Sequence, residues 1–137
     1  MSVSSASGMM NPPSWYSRKK ALVSVTAILS VLNGLAYVLF PGFSLNLLGI
    51  HPDGYGLLIT RYYGACALGY GILLWQIRHI ESGKISQAVL RSILVLLGIS
   101  VVIGIMGLIE GVTNQCGWLF VGTDLVLSLG SLSLLLK

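Results

Sequence analysis

Five polar side chains stand inside otherwise apolar stretches of this 137-residue chain: Asn33, Tyr37, Arg61, Glu110 and Asp124. A guanidinium paired with a carboxylate forms a strong, directional contact, and an amide and a phenol can supply the remaining hydrogen bonds. Two carboxylates against one guanidinium leave a formal excess of one negative charge. Brought together, the five would make either an internal ion-paired staple or a polar pocket for a small ligand or headgroup. The staple is the favoured reading, the pocket comes second, and a proton or ion path third. The path suffers because the opposite half of the chain offers only Thr26, Ser30, Ser100, Ser128 and Ser131, with no titratable relay.

The elements that must position these residues are four apolar stretches, at 21–40, 57–77, 88–112 and 118–136. Each has the roughly 20 residues that a helix needs to cross a bilayer core. Hydrophobic residues make up 55% of the chain and charged residues 9%, against about a quarter charged in an ordinary soluble domain. The expected fold is therefore all-α, a single membrane domain of four transmembrane helices over residues 21–137, preceded by a flexible or interfacial tail at 1–20. In depth, Asn33 lies seven residues from the far end of its stretch, Arg61 four, Glu110 two and Asp124 six. At 1.5 Å per residue all four fall about 3–11 Å from the same membrane edge. Spacing also gives each a small or polar face: Thr26, Ser30, Asn33 and Tyr37 on the first stretch; Arg61 with Gly64, Ala65 and Leu68 on the second; Glu110 beside Gly104, Gly107 and Gly111; and Asp124 in line with Gly117, Ser128 and Ser131. Such faces normally meet other helices.

Basic residues alternate across the stretches. Arg18, Lys19, Lys20, Arg78, Lys84, Arg91 and Lys137 fall on one side, and Arg61 alone on the other. That bias predicts cytoplasmic N and C termini and a multi-pass protein of the cell membrane. The net charge of +4 forms no stripe with interleaved aromatics, which argues against nucleic acid. The first loop, 41–56, reads as a short interfacial turn around Phe43–Gly49 and a tight turn at His51-Pro52-Asp53-Gly54. The five-residue loop 113–117 makes the last two helices antiparallel neighbours. Cys66 and Cys116 are expected at different depths and unpaired, and His51 and His79 fall on opposite sides. No catalytic triad, phosphate loop, nucleotide fingerprint or metal-ligand spacing is present, so no catalytic residue, cofactor or metal is expected.

With the stretches placed, the chain resembles the small four-helix membrane proteins of the DoxX-like group. The likeness rests on Leu39-Phe40-Pro41-Gly42, Leu47-Leu48-Gly49, Arg61 with Gly64, Leu68-Gly69, Gly117-Trp118 and Asp124-Leu125, and covers most of residues 21–136. The group takes its name from a membrane subunit of a thiosulfate:quinone oxidoreductase. The resemblance implies a four-helix architecture more firmly than a role, and this chain carries no redox cysteine pair. The expected function is a non-catalytic accessory or assembly subunit of a larger membrane complex. Its partners would be the bilayer and other membrane subunits or further copies of itself. The alternative is a subunit that binds a quinone head or lipid headgroup at the polar cluster. A small transporter, the third reading, would need an oligomer to supply a pathway.

Overall fold

The computed structural model describes residues 14–80 and 83–136, and every described regular element is helical: α1 (Ser14–Leu39), α2 (Pro41–Leu47), α3 (Gly54–Ile77), α4 (Gly83–Ile109) and α5 (Gly117–Leu135). All but α2 are long and apolar enough to cross a membrane.

Helix boundaries differ from the apolar stretches for a simple reason: hydropathy marks where a bilayer core would begin, whereas helices end where capping chemistry ends them. α1 starts at Ser14, seven residues before the first stretch, because Arg18-Lys19-Lys20 are good helix formers that continue it. Of the expected tail, Ser14–Lys20 is thus helical, and residues 1–13 lie outside the described residues. The loop 41–56 holds a two-turn helix, α2, opened by Pro41 at a position where a missing N–H costs nothing. Asp53 caps α3, its carboxylate accepting from Gly56 N at 2.7 Å.

Two glycines with positive φ end helices by the same device. Gly49 (φ 79°) donates to Asn46 O while Ile50 donates to Leu45 O, closing α2. Gly111 (φ 69°) donates to Leu108 O while Val112 donates to Gly107 O, closing α4. Both are Schellman caps, in which only glycine takes the left-handed turn without strain. The second places Glu110 at the cap of α4 rather than inside a span ending at 112, a correction to the expected boundary.

Packing is uneven. α1 and α3 pair antiparallel along their length, and α4 and α5 form a second hairpin joined by residues 110–116. The α1–α3 seam is close enough to need glycine. A Cβ on Gly34 would lie 2.7 Å from Gly64 O, and one on Gly71 would lie 2.9 Å from Ala27 O. Gly34 therefore sits between residues 64 and 68 of α3, and Gly71 between 27 and 31 of α1. The hairpins join around a core of Val23, Ala27, Leu74, Ile93 and Leu97, toward the end that carries the α3–α4 turn. Elsewhere α1 and α5 touch only lightly.

Candidate functional site

Toward the α2 end of the bundle, three helices bring aromatic and acidic groups together. Tyr37 on α1 is buried, and its ring meets Tyr63 of α3 edge-on, with centroids 5.5 Å apart. Asp124 on α5 lies within electrostatic range of both phenols. Gly64 makes this possible: α1 and α3 approach so closely that a Cβ there would sit 2.9 Å from Tyr37 Cβ. Two phenolic donors and one carboxyl acceptor thus share one layer, groups of the kind that can hydrogen-bond a small polar molecule.

The five residues expected to converge do so only in part. Tyr37 and Asp124 lie within electrostatic range of each other, and Asn33, one turn along α1 from Tyr37, is half-buried without a hydrogen bond among the described residues. Arg61 is exposed and makes no ion pair among them. Glu110 is also exposed, in the turn beyond α4. The expected pairing of Arg61 with Glu110 or Asp124 is therefore absent. The reason is angular: Gly64 is the α3 residue turned into the seam at this level, and Arg61 and Tyr63 to either side of it are both exposed, Tyr63 leaning edge-on against the Tyr37 ring. Tyr63 was missed because the spacing analysis ranked charged groups above tyrosines. Its signal was its position in line with Ala67, Tyr70 and Leu74.

The small and polar faces do turn inward. Thr26, Ser128 and Ser131 are buried, and Thr26 and Ser131 return hydrogen bonds to Leu22 O and Leu127 O of their own helices. On α3, Gly71 lies in the α1–α3 seam, whereas Gly69 meets nothing within 4 Å.

Two polar fasteners went unread in the sequence. Lys19 is only 3% exposed, and its ammonium donates to Ile80 O at 2.7 Å and Ser86 Oγ at 2.9 Å, while sitting 5.0 Å from the Tyr16 ring. It ties α1 to the α3–α4 turn and to α4, with Tyr16 Oη adding a bond to His79 O at 3.2 Å. At the other end Asn114 Nδ2 donates to Leu47 O at 2.9 Å, and its backbone N–H donates to Leu48 O at 2.8 Å. That latch fixes α2 against the α4–α5 loop. His51 pairs with Asn46 at 3.1 Å, and Cys66 and Cys116 are free thiols. Among the described residues no group of three His, Cys, Asp or Glu side chains is placed to hold a metal.

Between α1 and α5 runs an open groove of about 540 Å³, with Val25 and Leu29 on one wall and Trp118, Gly122, Thr123 and Val126 on the other. A Cβ on Gly122 would meet nothing within 4 Å.

Residues 6–136 match the family described as a domain of unknown function, DUF8292. The chain belongs to this family. The match takes in all four long helices, the Tyr37–Tyr63–Asp124 group and both fasteners, so the DUF8292 domain and the bundle are the same unit. No curated protein matches the chain, and no solved structure does.

Proposed function

We propose that this DUF8292 chain is a multi-pass protein of the cell membrane, with both termini cytoplasmic, serving as a non-catalytic accessory or assembly subunit of a larger membrane complex. The observation that carries this reading is the groove between α1 and α5. Helical glycine costs about 1 kcal/mol relative to alanine, and in membrane proteins that cost is ordinarily offset by close approach of a second helix. Gly34, Gly64 and Gly71 have such a neighbour inside the chain; Gly122, beside Thr123 in the groove, has none. A partner helix laid there would complete the packing that α1 and α5 leave unfinished. The seven-to-one distribution of basic residues supports the orientation. The DoxX-like motifs point the same way, since that group includes a subunit of a larger membrane enzyme.

A photo-crosslinking residue at position 122 tests this in native membranes. It should give one protein adduct of defined mass, while the same probe at the outward-facing Val102 gives lipid adducts only. Lipid adducts alone at both positions would overturn the reading.

A second reading, a membrane subunit binding a small molecule such as a quinone head, is favoured by the Tyr37–Tyr63–Asp124 group. The phenols would donate to a carbonyl oxygen, and Asp124 would exchange a proton with it. Arg61 and Glu110 take no part in this version. Binding of a quinone analogue that is unchanged in the Tyr63→Phe/Asp124→Asn double variant would remove it.

A further inference from the structure

We propose that Lys20 and Arg78 form a seat for the phosphate of an anionic phospholipid at the end of the α1–α3 seam. The register places them. Gly34 lies against 64–68 and Gly71 against 27–31, so the antiparallel register carried on to the helix ends brings Lys20 to about residue 80 and Arg78 to about residue 22, within one turn of each other. The bonds from Lys19 to Ile80 O and from Tyr16 to His79 O show that the same pairing continues to the helix ends.

Two cations thus stand within a turn of each other at one end of the seam, an arrangement that costs energy unless an anion lies near both. Neither forms an ion pair with a described carboxylate. Glu81 lies outside the described residues. His79 sits beside them, held below its ordinary value by local desolvation and then by the charges of Lys20 and Arg78, which puts both cations within electrostatic reach of one spot. As a neutral imidazole it adds a hydrogen-bond donor for a phosphate oxygen.

The surroundings select a lipid over a free ion. Arg78 lies over the Trp75 ring, 3.5 Å from its centroid, and Trp75 and Ile72 expose an apolar strip directly below the charges. A phosphate held by the cations would lay its acyl chain along that strip. A Trp beside an Arg at a helix end suits the headgroup level. The proposal requires a membrane around the chain but not the accessory role proposed above.

Native mass spectrometry of the full chain in detergent supplies the test, using phosphatidylglycerol, phosphatidylcholine with the same acyl chains, and inorganic phosphate as probes. The wild-type chain should retain phosphatidylglycerol over phosphatidylcholine by roughly tenfold or more. Lys20→Gln/Arg78→Gln should abolish that preference, and Lys84→Gln/Arg91→Gln, an equal loss of charge elsewhere, should keep it. Equal retention of the two lipids by the wild type would overturn the proposal without any variant. Equal loss in both double variants would reduce the site to diffuse charge and overturn it, and displacement of the lipid by millimolar inorganic phosphate would do so as well.

Discussion

Lys19 shows how one residue can carry two roles. By position it is one of the basic residues that set orientation, and by contact it is a buried clamp. Removing it leaves Ser86 Oγ without its donor and Ile80 O with only a 3.4 Å bond from Ser86 Oγ, and a buried polar group left unpaired costs about 1–3 kcal/mol. Lys19→Met, which keeps the stem and loses the ammonium, should therefore lower the unfolding midpoint in detergent. Lys20→Met should barely move it, and equal midpoints would contradict the clamp. His79 gives the pH dependence. Its imidazole is held below the ordinary value of about 6.5, so the folded chain favours the neutral form. That contribution is complete above 6.5 and is lost as pH falls through the lower, folded-state value. Its neighbours are Lys20 and Arg78, so acidification adds a third positive charge at one place. Retention of an anionic lipid should strengthen between pH 7 and pH 5, and His79→Ala should flatten the response. A flat response in the wild type would show that His79 does not face the lipid.

At the scale of elements, the α1–α3 seam is the most constrained part of the fold. Gly34→Ala would push a methyl to 2.7 Å from the backbone of α3, and overpacking of this kind costs about 1–3 kcal/mol. Gly69→Ala, where nothing lies within 4 Å, should be neutral or stabilising by up to about 1 kcal/mol. Thermal unfolding of the two variants side by side checks the seam; similar midpoints would contradict it. Asn114→Ala should release α2, with faster amide exchange at Ile50 and Asn114 and little change in the α1–α3 seam; unchanged exchange would contradict the latch. The long helices were legible because ~20 apolar residues in a row have few alternatives. The inward turn of Thr26, Tyr37, Gly117, Ser128 and Ser131 was legible from spacing. The caps were harder to read: Gly111 sits within the apolar stretch 88–112, and nothing in its composition reveals a positive φ. The convergence of Arg61 was misjudged because shared depth fixes a layer but not an angle, and the α3 residue turned inward at that level is Gly64.

The whole molecule consists of two hairpins fastened at both ends and left open between α1 and α5. Lys19 holds one end and Asn114 the other, so the groove has fixed walls without being closed by its own side chains. Such a frame suits a subunit that receives a helix better than one that encloses a reaction, and in the Tyr37–Tyr63–Asp124 layer only Tyr37 is buried while Tyr63 is exposed. The most direct measurement is the mass of the complex released from native membranes in mild detergent, for the wild type and for Gly122→Leu. The account predicts a stoichiometric assembly with a second membrane protein for the wild type. It also predicts loss of that assembly in Gly122→Leu, with the unfolding midpoint of the isolated chain retained. A wild-type chain released as a monomer carrying only lipid, or an assembly indifferent to Gly122→Leu, would contradict it.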